Sequence, residues 1–253
     1  MAAVSIVVPV FDAEDYILST IAMVQAQTFE DWELILVEDS SRDDTKDILR
    51  EFRDNTLDTR IKIMFIKNPG KGPVAARNAG VDAATGRYIA YLDADDVWRR
   101  NKLERTLEFI REKNAGFVFT AYEFGDTKAE PTGKRVHVPE KLNYRKALSR
   151  TVIFTSTVMF DTEKIDKELI KMPQVASEDT ATWWNILRQG YEAHGLDEFL
   201  VIYRRPKESL SSDKRKAIAR IWNLYRNVEK LPLAVSIWCW CGWAVRATLR
   251  RVL

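Results

Sequence analysis

Tyr88-Ile89-Ala90-Tyr91-Leu92-Asp93-Ala94-Asp95-Asp96 is an apolar run that ends in three closely spaced carboxylates. It reads as a buried strand whose carboxyl end opens into a crevice, with Asp93 and Asp95, two residues apart, pointing the same way. Two acids on one face repel each other, and a proton or a cation must relieve the repulsion. With only two histidines in the chain, an oxygen-only site suits a hard divalent ion, Mg2+ or Mn2+, carrying a phosphate-bearing ligand. The competing use of these acids is a helix N-cap, with Asp95 or Asp96 opening the pattern Val97, Leu103, Leu107, Ile110.

Strand and helix patterns alternate ahead of this run. Val4 to Pro9 reads as a strand, and about Asp12 to Gln25 as a helix with Ile17, Ile21 and Val24 on one face. Glu33 to Val37 is the next strand, then a short helix turning Ile48, Leu49 and Phe52 inward, a strand from Ile61 to Ile66, and a helix opened by Gly72-Pro73. Such alternation implies an α/β fold, a mostly parallel sheet with helices on both faces. Ligands bind such sheets beyond the carboxyl ends of the strands. Three polar segments fall there: Val10 to Asp15, Glu38 to Asp44 and Asp93 to Asp96. Downstream, Gly116 to Tyr122, Phe154 to Phe160 and Phe199 to Tyr203 read as strands, Gly125 to Glu140 as a surface excursion, and Glu178 to Gln189 as a helix with an acidic first turn.

A chain of 253 residues that is 46% hydrophobic buries a sizeable core, which excludes a disordered class and fits one large domain with an appendage. Its net charge of +2 hides an asymmetry. Residues 213 to 253 carry nine basic side chains against two acidic ones, and the remainder of the chain is mildly acidic. That tail also holds Trp222, Trp238, Trp240 and Trp243, half of the eight tryptophans. Indole beside cationic side chains favours a lipid headgroup boundary over nucleic acid as the partner. The apolar stretch from Leu231 to Val245 is shorter than the roughly 20 residues a spanning helix needs. A helix lying in the membrane interface is expected, with a homodimer contact as the competing use of the same face. Cys239 and Cys241, two apart in an apolar run, suit neither a disulfide framework nor a zinc site. The N-terminus shows no basic leader with a cleavage signal, so a cytoplasmic location is expected.

Further segments place chemistry at the strand ends. Asp39, in Val37-Glu38-Asp39-Ser40-Ser41-Arg42-Asp43, can accept a hydrogen bond from a ligand such as the imide of a uracil ring; a helix cap is its alternative use. Gly70-Lys71-Gly72-Pro73-Val74-Ala75-Ala76-Arg77-Asn78-Ala79-Gly80 joins a turn to a helix of small residues, with Arg77 facing a base or phosphate or else solvent. It is neither a P-loop nor a dinucleotide-binding glycine fingerprint.

The ordered set Val7-Val8-Pro9-Val10-Phe11, Val37 to Asp43, Ala76-Arg77-Asn78-Ala79-Gly80, Ala84-Thr85-Gly86-Arg87-Tyr88 and Leu92-Asp93-Ala94-Asp95-Asp96 resembles family 2 glycosyltransferases of the GT-A fold. The resemblance is strong over residues 4 to about 100 and continues more weakly to about 212. It implies a GT-A domain over 1–212, with a nucleotide-binding half at 1–100 and an acceptor half at 101–212, followed by a helical tail at 213–253. It also implies that Pro9, Phe11 and Asp39 line the base pocket with Arg77 nearby. Asp93 would meet the ribose of a UDP-sugar, and Asp95 would hold Mn2+ or Mg2+ against the diphosphate. The chain departs from the family at Glu38, where Asp is frequent, and at Ser40-Ser41, where Gly-Ser is usual.

Ser177-Glu178-Asp179-Thr180 is similar to the family's Glu-Asp motif, which makes Asp179 the catalytic base of an inverting transfer. A sugar hydroxyl is a poor nucleophile, and a carboxylate aimed at it takes its proton as the new bond forms. The alternative is that both acids only complement a helix dipole. Trp183 and Trp184, one turn on, either stack on an acceptor sugar or pack in the core. Arg204, Arg205 and Lys207 precede Glu208-Ser209-Leu210-Ser211-Ser212, where related enzymes close a segment over the diphosphate; Arg204 is the first candidate for a phosphate clamp. His137 and His194 read as surface residues.

The expected activity is transfer of a sugar to a saccharide acceptor, free or carried on a polyprenyl diphosphate, at the inner face of the cell membrane during surface polysaccharide assembly. Two other classes compete. One is a membrane-bound nucleotide-sugar binding protein without turnover, which would leave Asp179 idle. The other is a sugar nucleotidyltransferase, which calls for a glycine-rich basic signature after the first strand, where this chain has Val10-Phe11-Asp12-Ala13-Glu14. The spanning helices and Gln-x-x-Arg-Trp motif of processive relatives are not seen, so single addition is expected.

Overall fold

The computed structural model describes residues 2–66, 72–204 and 214–252. Its elements run β1 (Val4–Val10), α1 (Ile17–Gln25), β2 (Trp32–Glu38), α2 (Thr45–Asn55), β3 (Ile61–Phe65), α3 (Gly72–Ala83), β4 (Tyr88–Tyr91), β5 (Val97–Trp98), α4 (Lys102–Glu112), β6 (Phe117–Gly125) and β7 (Pro131–Val136). They continue with β8 (Lys141–Leu142), α5 (Tyr144–Leu148), a 3-10 turn (Thr155–Thr157), β9 (Met159–Asp161), α6 (Lys167–Ile170), α7 (Glu178–Arg188), β10 (Ala193–Arg204), α8 (Lys214–Asn223), a π-helical turn (Leu224–Val228) and α9 (Leu233–Val252).

The strands form one sheet in the order β3-β2-β1-β4-β9-β6-β10-β5, with β7 added to β6 and β8 to β10. β1 pairs in parallel with β2 and β4, and β2 with β3. Of this block β1, β2 and β4 are buried on both faces, as parallel strands between helical layers must be, whereas β3 at the edge is only partly buried. All seven residues of β2 are buried. β9 is antiparallel to both neighbours, β4 and β6, and joins the two halves of the sheet.

A polar hub lies inside the first half. Glu33 accepts hydrogen bonds from the Ser5 hydroxyl (2.6 Å), the Thr85 backbone (2.6 Å) and hydroxyl (2.8 Å), and the Lys62 ammonium (2.5 Å). Burial by itself would raise the Glu33 carboxyl, but these bonds outweigh it and hold it at about 2. Arg87 grips Asp161 of β9 through two bonds of 3.0 and 2.8 Å. At Gly80 a Cβ would lie 2.4 Å from Val7 Cγ1, so glycine there lets α3 close on β1.

Several expectations need correction. The first helix begins at Ile17, because residues 13 to 16 form turns. The acids after β4 sit in a tight turn, closed by the Asp96 N–H donating to the Asp93 carbonyl (3.1 Å), and not on the strand itself. Neither Asp95 nor Asp96 caps a helix: β5 follows them, and α4 starts at Lys102 after Asn101. Asp39 is not a cap either, since α2 opens after Asp44. The stretch expected as a strand over Phe154 to Phe160 is largely a 3-10 turn leading into β9. β7 forms within the polar excursion, and the last strand starts at Ala193, six residues before Phe199. Trp183 and Trp184 belong to the core: Trp183 packs 5.5 Å from the rings of Phe117 and Phe160, and Trp184 stacks on Tyr225 at 5.3 Å. His137 is exposed and bonds Asp197 (2.8 Å), but His194 is only partly exposed, and burial lowers its imidazole.

Candidate active site

Beyond the carboxyl ends of β1, β2 and β4 lies a cavity of about 750 Å3. Pro9, Phe11, Asp39, Arg77, Asp93 and Asp95 all line it, joined by Asp12, Tyr16, Ser40 and Pro73 among others. Residues scattered over the first 95 positions converge because parallel strands end on one side of the sheet.

Phe11 stands half-exposed at 51%, with the Arg42 guanidinium 5.1 Å from its ring centre. Arg42 is held by Asp12 through bonds of 3.1 and 2.5 Å. Opposite, Asp39 is buried, and its Oδ1 has no hydrogen-bond partner among the described residues. A buried carboxylate oxygen without a donor calls for one from a ligand. Ser40 adopts φ +61° and Asp12 φ +46°, so two cavity residues occupy the left-handed region that glycine tolerates best. The Ser40 angle accounts for glycine being usual at that position in the family the sequence resembles.

Three residues, Ser156, Thr20 and Arg204, brace the acidic turn. The Asp93 N–H donates to Ser156 Oγ (3.0 Å), and that hydroxyl donates to Asp96 Oδ2 (2.5 Å). Thr20 Oγ1 donates to the Ala94 carbonyl (2.7 Å), and Arg204 Nε to the Asp95 carbonyl (2.7 Å). The Arg204 N–H reaches Asp96 Oδ1 (3.2 Å). Asp96 is thus turned inward, while Asp93 and Asp95 face the cavity. Burial and the Asp93 charge push the Asp95 carboxyl above the usual range, and burial with both neighbouring charges raises Asp96 well above it. Charge concentrated in this way fits a divalent cation. Among the described residues no group of three or more His, Cys, Asp or Glu side chains is arranged to hold a metal ion.

Arg77 joins this floor to the second acidic pair. It is buried, at 6% exposure, and its guanidinium bonds Asp93 Oδ1 (2.6 Å) and Glu178 Oε1 (3.1 Å). Burial works against its charge, but Asp93 and Glu178 more than reverse the effect and raise its pKa. It is not a solvated helix arginine. Next to it, Asn78 exchanges two bonds with the Met172 backbone, donating to the carbonyl (2.9 Å) and accepting from the N–H (2.8 Å). Arg77 and Asn78 together tie α7 to the floor of the cavity, and Asp179 is the second residue of that helix. Burial raises the Asp179 carboxyl. Ser177, immediately before α7, has φ +60°.

Arg204 lies beside the acidic turn, with its guanidinium 4.4 Å from the ring centre of Tyr16 and bonded to the Thr127 carbonyl (2.9 Å). Gly70, Lys71, Arg205, Lys207 and the loop 208–212 lie outside the described residues. Ser156, Thr20, Asn78 and Tyr16 were not singled out in the sequence. Each lies far along the chain from what it supports, and only Asn78 falls within a motif, where nothing local marks its bond to Met172.

The family model "Glycosyl transferase family 2" matches residues 5–168. TuaG of Bacillus subtilis (strain 168), named for a teichuronic acid biosynthesis glycosyltransferase role, is 38% identical over 98% of this chain and 97% of its own length. The Escherichia coli UDP-Glc:alpha-D-GlcNAc-diphosphoundecaprenol beta-1,3-glucosyltransferase WfgD is 34% identical over 91% of this chain and 88% of its own. Among solved structures, S. aureus TarS 1-349 in complex with UDP-GlcNAc superposes with a TM-score of 0.69 at 18% identity, covering 95% of this chain and 71% of that one. The mannosyltransferase PcManGT from Pyrobaculum calidifontis, in complex with GDP-Man and Mn2+, gives 0.72 at 17% identity over 99% and 75%. These likenesses show the GT-A fold. With a family model spanning most of the sheet and relatives alike over nearly their whole length, the chain belongs to glycosyl transferase family 2 and is a glycosyltransferase.

Proposed function

We propose that this enzyme transfers a sugar, with inversion, from a UDP-sugar to a hydroxyl of a saccharide carried on a polyprenyl diphosphate. The observation that carries the reading is the Arg77 bridge, which brings the start of the Asp179 helix to the floor of a cavity built from Asp39, Asp93 and Asp95. Asp39 accepts from the uracil imide, Phe11 and Pro9 form the wall beside the base, and Asp93 meets the ribose. Asp95 holds Mn2+ or Mg2+, which supplies charge neutralisation for the departing diphosphate. Arg204 steadies the turn carrying Asp95 and adds positive charge nearby. Asp179 removes the acceptor proton, and its raised basicity improves that task.

The acceptor class draws support from WfgD, whose name gives a diphosphoundecaprenol-linked substrate. No helix among the described residues is long and apolar enough to cross a membrane. α9 packs Ser236 and Cys239 inward and leaves Leu233, Ile237, Trp238 and Val245 exposed, which fits peripheral attachment at the inner face of the cell membrane. The deciding assay follows nucleotide release from a panel of UDP-sugars and GDP-mannose, with Mn2+ and a membrane lipid extract as acceptor source, for the intact protein, Asp95→Ala and Asp179→Asn. Acceptor-dependent UDP release lost in both variants is expected. Release persisting in Asp179→Asn overturns the base, and UDP binding without any turnover favours the binding-protein reading.

A further inference from the structure

A second cavity, of about 410 Å3, lies between α9 and the segment around α5. Lys141, Arg145, Lys146, Ser149, Arg150 and Arg246 line it, and no acidic side chain does. Five cations around one concavity repel one another, and an anion relieves that. Lys141 bonds Glu192 (3.3 Å), a residue outside the lining, and among the described residues Arg246 bonds neutral partners, Ser149 Oγ (3.2 Å) and the Gly242 carbonyl (3.1 Å) among them.

The position of this cavity is as informative as its charge. α9 is fastened to the segment behind it: Trp243 Nε1 donates to Thr151 Oγ1 (3.1 Å), and a Cβ on Gly242 would stand 3.1 Å from Ser149 Cβ. On the outward side the same helix exposes Ile237, Trp238 at 81% and Val245, an apolar strip next to the basic concavity. On the inward side Arg150 also lines a narrow cleft with Thr151, Val152, Thr180 and Trp183. Thr180 follows Asp179 directly. The basic cavity and the cleft thus share Arg150, and the cleft, with a volume of only about 10 Å3, ends against the first turn of α7.

We propose that the basic cavity binds the diphosphate of the lipid-linked acceptor, with the polyprenyl chain leaving along the open face of α9 and the saccharide directed past Arg150 toward Asp179. The assignment rests on the acceptor class proposed above. Arginine forks and lysine ammonium groups match phosphate oxygens, and a diphosphate offers enough of them to engage several at once.

The test uses the full chain and the double variant Arg145→Ala/Lys146→Ala, both positions being exposed, with thermal melting to verify the fold. Polyprenyl diphosphate binding is measured directly in neutral detergent micelles, apart from catalysis. About tenfold or greater loss of affinity in the variant is expected. Equal binding by both proteins, or none by the intact one, overturns the proposal even where transfer works. In the transfer assay, KM for the polyprenyl-diphosphate acceptor rises about tenfold while that for the same saccharide as an alkyl glycoside changes less than twofold. A parallel rise for both acceptors overturns it. Vesicles of phosphatidylglycerol without acceptor separate the remaining source: loss of vesicle binding with unchanged micellar affinity for polyprenyl diphosphate assigns the cavity to phospholipid headgroups and overturns the acceptor assignment. If the intact protein binds polyprenyl diphosphate yet transfers no sugar to a saccharide linked to it, the functional reading fails and the binding site stands.

Discussion

Arg77 carries two jobs that a lysine cannot combine, because a planar fork reaches two carboxylates in fixed directions and an ammonium does not. Arg77→Lys should lower kcat/KM on the order of 100-fold through misplacement of Asp179, and lower stability by about 3 kcal/mol as Asp93 or Glu178 loses its partner. Steady-state kinetics and urea unfolding check both. Asp179 itself sets a pH signature. Burial raises its pKa above the ordinary 3.8, so the base proposed here is lost to protonation at a higher pH than a solvated aspartate would be. At saturating metal, kcat/KM should fall along a one-proton limb through that raised value, and a limb no higher than about 3.8 would count against Asp179. Asp39, Asp93 and Asp95 were legible as a set because each falls just past a strand end, and strand ends meet, whereas Pro9 and Phe11 were marked by the family resemblance alone. The partners of Arg77 were not, since Glu178 is 101 residues away and its approach depends on how the later part of the chain folds back.

At the scale of elements, motif residues divide between site and scaffold. Thr85, Gly86 and Arg87 serve Glu33 and Asp161 instead of a ligand. Glu33 has a folded pKa of about 2 against an ordinary 4.5, so its contribution is present above pH 4.5 and is lost as pH falls through about 2. Glu33→Gln should cost about 2 kcal/mol at pH 7, after allowing for screening of the exposed Lys62, and the difference from the parent should close toward pH 2. Denaturant unfolding at pH 7 and pH 3 reads the trend. The βα alternation of the first half was legible from periodicity because each of its strands is an apolar run bounded by turn residues. β5, β9 and the early part of β10 were not. β5 and β9 are two and three residues long, and Ala193-His194-Gly195-Leu196 is drawn into a strand by pairing with β6 against a weak local preference.

For the molecule as a whole, the basic residues of the tail are spread over α8, α9 and the segment between them, and three of its four tryptophans lie on α9, which is apolar outward and anchored inward. Ile237→Ser/Trp238→Ser should weaken sedimentation with phosphatidylglycerol vesicles by about tenfold or more while leaving UDP affinity in place; unchanged sedimentation would remove α9 from membrane attachment. The seam at β9 has a different consequence, one of order in time. β1 to β4 are complete once Tyr91 has been made, but β4 and β6 acquire their shared neighbour only with Met159 to Asp161. A nascent chain of about 150 residues therefore carries two raw strand edges flanking a gap three residues long, and β6 waits still longer for β10. Chains arrested near residue 150 should aggregate or recruit chaperones, whereas chains extended past residue 204 should resist protease. The strand that unites the two halves of the sheet is also the step at which synthesis is most exposed to failure.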